Sequence, residues 1–376
     1  MPGLVFYISA HGFGHASRDI EVINAYGARH PSTRIVVRTG APRWLFDLTL
    51  TVPHEFVSAE TDTGIVQRDS LTHDIAETMR RAAAFYATFD ERVEREARWL
   101  ESLRRGGPSR SADLLIVGDI PPLAFAAAAR AGVPAFALGN FTWDWIYEDY
   151  DETERLAPGV IDTVARAYAH AHGAWRLPMH GGFQSIRRVE DVPFVARFSR
   201  RDPEETRRAF GLPLDRSVVL SSFGGYGLRG LSPAQIDCLD EYVVVVTETS
   251  TGTARSPEPP VVMLQERAIY GSGFRYEDLV RAADVVITKP GFGIISECLA
   301  NDTALVYTSR GRFREYPVLV REMPAFLRCA FIEQADLFAG RWRAALDKAL
   351  AQSKPAGPRR IDGADHVARR IEAALS

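Results

Sequence analysis

Cysteine is scarce. The 376 residues hold three, Cys238, Cys298 and Cys329. They are odd in number, widely spaced and without metal-ligand spacing, which argues against both a disulfide framework and a zinc site. They are expected as reduced, buried thiols. An excess of charge is also missing: 45 Lys and Arg against 48 Asp and Glu leave a formal net charge of −3, so no general attraction to nucleic acid or anionic membrane is expected. No apolar run approaches membrane-spanning length, and the run Leu4 to Ala10 lacks a basic leader and is too short for a signal sequence. A cytoplasmic protein is expected. What remains is a globular composition, 46% hydrophobic and 25% charged, over a length that suits two domains of about 100–200 residues each.

The most informative stretch lies in the second half. Ala283-Asp284-Val285-Val286-Ile287 reads as a buried parallel strand and Ile294 to Leu299 as the first turns of a helix. Between them, in Thr288-Lys289-Pro290-Gly291-Phe292-Gly293, Gly291 and Gly293 let the backbone approach a ligand closely, and Pro290 denies the loop an early helical turn. Free amides at the helix start, with Lys289 beside them, favour an anion. Glu297 offers two acceptor oxygens suited to a vicinal diol. Phosphate plus diol is the chemistry of a nucleotide.

The first half opens with a similar junction. The strand Leu4-Val5-Phe6-Tyr7-Ile8-Ser9 runs through His11-Gly12-Phe13-Gly14-His15-Ala16-Ser17-Arg18 into a helix. Gly12-x-Gly14-x-x-Ser17 approaches the dinucleotide fingerprint, but Arg38 stands where its acidic residue is expected, which disfavours a nicotinamide cofactor. His15 and His11 are both candidate bases, because imidazole titrates near neutrality. Leu114 to Asp119 is a buried strand ending on a carboxylate at the edge where open α/β sheets bind ligands, with a helix Leu123 to Ala131 after it and Gly132 past its end.

Leu71 to Arg105 reads as one long helix with i,i+4 pairs Glu91/Arg95, Glu94/Arg98 and Glu101/Arg105. Its Phe85, Tyr86, Phe89 and Trp99 are expected in the core. In the loop Asn140-Phe141-Thr142-Trp143-Asp144-Trp145, the residues Trp143, Asp144 and Trp145 suit an acceptor sugar site or, equally, a hinge or core contact. Ser217 to Ser222 runs into Phe223-Gly224-Gly225, a further glycine turn able to close on the same phosphates. Strand-helix alternation implies α/β architecture with parallel sheets in both halves. The expected division is 1–196, 197–358, and a tail helix in 359–376 packing back on the first domain.

Thr288 to Glu297 resembles the donor-binding core of two-Rossmann-domain (GT-B) nucleotide-sugar glycosyltransferases, which often read Thr-His-x-Gly-x-Asn-x-x-x-Glu. Lys-Pro-Gly-Phe-Gly is closer still to a branch of bacterial glycosyltransferases and to the transferase-like domain preceding the kinase in plant arabinose kinases. The resemblance implies two doubly wound Rossmann-like domains with an interdomain cleft, and transfer of a sugar, UDP-sugar favoured, to a hydroxyl of a small-molecule or glycan acceptor. By it His15, oriented by Asp119, is the base, with His11 its rival. Lys289 stands for a phosphate-contacting His, and Gly291, Phe292, Gly293 and Ile294 complete the donor loop, the last two replacing the usual Asn-Ser. Glu297 would grip the ribose, Gly224 and Gly225 the pyrophosphate, Phe274 the base and Glu315 the donor sugar. The Glu-x7-Glu pattern of retaining members is absent around Glu297, where position 289 is Lys and position 305 is Leu, which implies inversion. No Asp-x-Asp metal signature accompanies the donor loop, so no metal or cofactor beyond the donor is expected. Two other functions are compatible with these residues: a non-hydrolysing sugar-nucleotide epimerase and a non-catalytic sugar-nucleotide-binding regulatory module.

Overall fold

Apolar, β-branched runs with no polar face become the central strands, because helices cover both faces of a parallel sheet. The computed structural model describes residues 3–105, 114–224, 235–248, 260–357 and 359–375. The first half places β1 (Gly3–Ile8), β2 (Arg34–Thr39), β3 (Glu55–Ser58), β4 (Leu114–Asp119), β5 (Ala135–Gly139), β6 (Gly173–Arg176) and β7 (Val189–Asp191) in one sheet. Their order is β3-β2-β1-β4-β5-β6-β7, and every pairing is parallel. The second half contributes β8 (Ser217–Ser222), β9 (Tyr242–Glu248), β10 (Val261–Gln265), β11 (Val285–Thr288), β12 (Ala304–Tyr307) and β13 (Cys329–Phe331). These form a parallel sheet in the order β10-β9-β8-β11-β12-β13. All positions of β1, β4, β11 and β12 are buried.

Strand order reverses between β1 and β4 in one sheet and between β8 and β11 in the other. Such a reversal opens a crevice beyond the carboxyl ends of the strands. Register fixes what stands at each crevice: Ile8 lies opposite Asp119, and Thr288 opposite Ser222. The histidine loop and the lysine loop therefore both leave their sheets at a switch point.

The expected long helix is two, Ile75–Ala87 and Phe89–Arg105, broken at Thr88. Thr88 turns its hydroxyl back to the Phe85 carbonyl and accepts from Arg92 Nε, a local competition with helical hydrogen bonding. Residues 71–74 lie outside the helix, and the Asp74 carboxylate caps its start by accepting from the Glu77 amide at 3.0 Å. Of the expected pairs Glu101 meets Arg105 at 3.6 Å, while Glu94 reaches across to Arg130 instead. Phe85, Tyr86 and Phe89 are buried, and Trp99 lies under the Arg38 guanidinium.

The chain passes from β7 through residues 192–202 to the helix Pro203–Ala209, which packs against the helix Tyr276–Ala282 of the second half. The last helix, Gly363–Leu375, returns to the first half, burying Val367, Ala368 and Ile371 beside the helix Phe13–Arg29 and pairing Glu372 with Arg29 at 2.6 Å. The three cysteines are free and buried. Among the described residues no helix is long and apolar enough to cross a membrane.

Candidate functional site

The helix Phe13–Arg29 starts directly beyond β1, with Gly12 at φ 75° making the turn. Three of its residues, His15, Arg18 and Asp19, fall at i, i+3 and i+4, so they share one face. All three are buried, and the face they share meets the end of β4. His15 Nδ1 lies 2.8 Å from Asp119 Oδ1. Arg18 grips both oxygens of the same carboxylate, with Nε 2.5 Å from Oδ2 and Nη2 on Oδ1. Burial alone would raise the Asp119 carboxyl, but Arg18 and His15 hold it well below the usual range. Asp19 is wholly buried with both oxygens unpartnered, and burial beside Asp119 raises it well above the usual carboxylate range. Burial without a partner favours its protonated form.

Two arrangements satisfy the His15 geometry. Nδ1–H can donate to Asp119, leaving a lone pair on Nε2, or Nδ1 can accept from Arg18 Nη2 at 2.9 Å, leaving the proton on Nε2. His11 has no such choice. Its Nδ1 accepts from the Ile65 amide at 3.2 Å, so the neutral ring carries its proton on Nε2 and acts as a donor. Burial, followed by the nearby His15 and Arg310 charges, lowers its pKa well below the ordinary imidazole value. The geometry therefore separates the two histidines: His15 can take up a proton on Nε2, and His11 offers one.

Across the cleft, Thr288 ties the two second-half loops together by donating to the Ser222 carbonyl. The helix Phe292–Asn301 begins after Gly291 with no side-chain cap and no acidic residue in its first turn, and the same holds for Phe13–Arg29. Both helix N-termini thus present free amides. The two loops nearly touch: a Cβ on Gly293 would stand 3.3 Å from Gly14 Cα, which is a packing reason for glycine where Asn is usual. Burial and then Arg310 lower Lys289 to about 7. It is one of three lysines in the chain, with Lys348 and Lys354.

A cleft of about 470 Å³ lies between the halves and is lined by His11, His15, Gly224, Lys289, Gly291, Phe292, Gly293, Ile294 and Glu315 among the expected residues. Asp119 stands beneath His15. Gly225 lies outside the described residues. Four groups that sequence reasoning passed over also line it: Arg18, Asn140, Gln67 and Arg310. A polar chain crosses the floor, from Arg18 Nη1 to Asn140 Oδ1 at 2.8 Å and from Asn140 Nδ2 to Glu315 Oε1 at 2.7 Å.

Besides Asp119, five expected residues do not line the cleft. Trp143 is fully buried, its Nε1 on Asp62 at 2.9 Å and its ring stacked on Tyr147. Asp144 accepts from Ser185 Oγ at 2.6 Å, and Trp145 packs on Gly181 under Arg314. The short helix Trp143–Tyr147 turns its aromatic face into the core. Phe274 meets Phe210 edge-on and stacks under Arg201. Glu297 is buried with Oε1 on Arg197 and Oε2 unpartnered, and burial raises it to about 7. Among the described residues no group of three or more His, Cys, Asp or Glu is placed to hold a metal ion.

No family model matches the chain. It is 30% identical over 375 residues to L-arabinokinase of Arabidopsis thaliana, covering 98% of this chain and 34% of that protein, so it spans about a third of the relative's length. Solved structures similar over the full chain include the kitacinnamycin glycosyltransferase, at 17% identity, TM-score 0.57 and 100% of that chain. Phytolacca americana UGT2 with UDP-2-fluoro-glucose and pterostilbene aligns at 12% identity, TM-score 0.60 and 94% of its chain. S. aureus MnaA with UDP aligns at 10% identity, TM-score 0.57 and 97% of its chain. Two parallel sheets of seven and six strands, reversed at facing switch points and sharing one cleft, give this chain the GT-B fold of nucleotide-sugar glycosyltransferases.

Proposed function

We propose that the cleft transfers a sugar from a nucleoside-diphosphate donor to a hydroxyl acceptor with inversion at the anomeric carbon. The observation that carries this reading is the pairing, in one cleft, of a buried His15–Asp119 contact with two uncapped helix N-termini and Lys289. His15 Nε2 takes the acceptor proton while Nδ1–H donates to Asp119, whose charge stabilises the imidazolium. The acceptor oxygen attacks the anomeric carbon from the side opposite the leaving diphosphate, and one displacement inverts it. Lys289 and the amides of residues 292–294 meet the charge that develops on the leaving group, so no metal is needed. UDP is the favoured nucleotide, being the one bound in two of the fold neighbours.

A thermal-shift panel of nucleoside diphosphates and sugar nucleotides tests the reading, because a ligand selective for the native state raises its melting temperature. UDP and UDP-sugars should stabilise the chain, and a flat panel would reject the proposal. One observation favours a second reading, a sugar-nucleotide-binding regulatory module: Glu297 is buried on Arg197 and does not line the cleft. Such a module would shift with donor yet neither transfer nor hydrolyse it.

A further inference from the structure

Donors from both halves converge at one end of the cleft. Arg310 is 5% exposed at the side chain; Nη1 donates to the Pro290 carbonyl at 2.9 Å and Nη2 faces His73 Nε2 at 3.5 Å. Its Nε is buried without a partner, and its Nη1 stands 3.8 Å from Glu315 Oε2. Lys289 Nζ meets the neutral Gln67 Oε1 at 3.2 Å, which leaves the Gln67 amide hydrogens free to donate. His11 is held as a donor by Ile65. All four side chains line the same cleft, two from each half.

Removing several donors and two cations from water without a closely paired anion is costly. The cost is visible in the titrating groups: burial lowers Arg310, Lys289 to about 7 and His73 to about 4, and the Arg310 charge pushes Lys289 and His73 the same way. Asp69 and Glu315 oppose this only partly.

We infer that this end of the cleft is a cradle for a phosphate-type dianion, held by Arg310 and Lys289 as cations and by His11 and Gln67 as neutral donors. It deepens the nucleotide-sugar reading and rests on it only for which molecule carries the phosphate. Lysine, unlike arginine, can shed its proton when the cradle is empty and regain it when an anion arrives. Binding is therefore coupled to proton uptake at Lys289, whose charged and titratable neighbours are Arg310, His11, His73 and Asp69.

The test is titration calorimetry of the full chain with inorganic pyrophosphate at pH 7.5, repeated in buffers of different ionisation enthalpy. Binding with net proton uptake is expected. Arg310→Gln should weaken it about tenfold or more, Arg310→Lys should recover part of the loss, and Lys289→Gln should bind more weakly with the uptake gone. Unchanged affinity in folded Arg310→Gln, or binding without proton uptake, would overturn the cradle. If Arg310→Gln does not fold, the Lys289→Gln arm decides alone. Competition identifies the carrier: UDP excluding pyrophosphate assigns the cradle to the donor's diphosphate, whereas pyrophosphate binding to UDP-saturated protein assigns it to a phosphate on the other substrate. Pyrophosphate binding that depends on Arg310, with no sugar nucleotide bound at all, would keep the cradle and reject the nucleotide-sugar reading.

Discussion

Each half presents a loop between a central strand and an uncapped helix to the same cleft, yet the charges around the two loops are balanced differently. In the first half the Asp119 carboxylate is gripped by Arg18 and His15, and burial pushes its neighbour Asp19 toward the protonated form. In the second half Lys289 and Arg310 are buried against a neutral amide, a backbone carbonyl and a carboxylate at 3.8 Å. A compensated cluster can hold a base in one orientation before any ligand arrives. An uncompensated one gains most of its favourable interactions when an anion enters. The first half is arranged for proton transfer and the second for binding.

The comparison is broken most sharply at His15. His15→Ala should lower turnover about 10²–10⁴-fold with nucleoside diphosphate affinity little changed, measured by steady-state kinetics beside calorimetry. His11→Ala, which removes a donor and not a base, should lose far less in turnover and weaken anion binding instead. The reverse pattern would exchange their roles.

Next in size is the loss of compensation. Arg18→Met leaves Asp119 buried without its cation and should cost about 3–5 kcal/mol of unfolding free energy in a denaturant titration. The double variant Arg18→Met with Asp119→Asn should be more stable than Arg18→Met alone, because the stranded charge is gone. An additive result would mean that the two side chains are not coupled.

At Lys289 the expected signs separate binding from stability. Lys289→Met should weaken nucleoside diphosphate binding by about 1.5–3 kcal/mol, yet leave the ligand-free protein as stable or slightly more so. Its folded pKa of about 7 lies below the ordinary 10.5. The folded state thus binds fewer protons than the unfolded one between those values, and unfolding free energy should rise with pH across that window. The rise attributable to Lys289 should be missing in Lys289→Met. The smallest effect is expected from Asp19→Asn, which replaces a buried carboxyl, pushed toward its protonated form, by a neutral amide of similar shape and should change stability by no more than about 1 kcal/mol, read from the same denaturant titration.

The two junctions were legible in the sequence because each is contiguous: an apolar run, a glycine turn and a helix start place His15, Asp119 and Lys289 at strand ends without reference to anything distant. Arg18, Asn140 and Arg310 were not, since their partners lie across the sheet or across the cleft, with 101 residues between Arg18 and Asp119 and 122 between Arg18 and Asn140. One signal was available and unread: His15, Arg18 and Asp19 at i, i+3 and i+4 on a helix leaving a switch-point strand. The run around Trp143 shows the opposite difficulty. Its composition suits a sugar site, but composition does not say which way a short helix turns its rings, and Trp143 turns inward onto Tyr147 and Asp62 while Trp145 packs on Gly181.

The most direct measurement is proton NMR of a UDP-sugar incubated with the protein, with water as acceptor, following the anomeric proton before mutarotation sets in. An α-linked donor should release the β-sugar, and the release should fall by about 10²-fold or more in His15→Ala. Release of the α-sugar, conversion of the sugar while it remains attached to the nucleotide, or a donor that binds and stays intact would each contradict inverting transfer from His15.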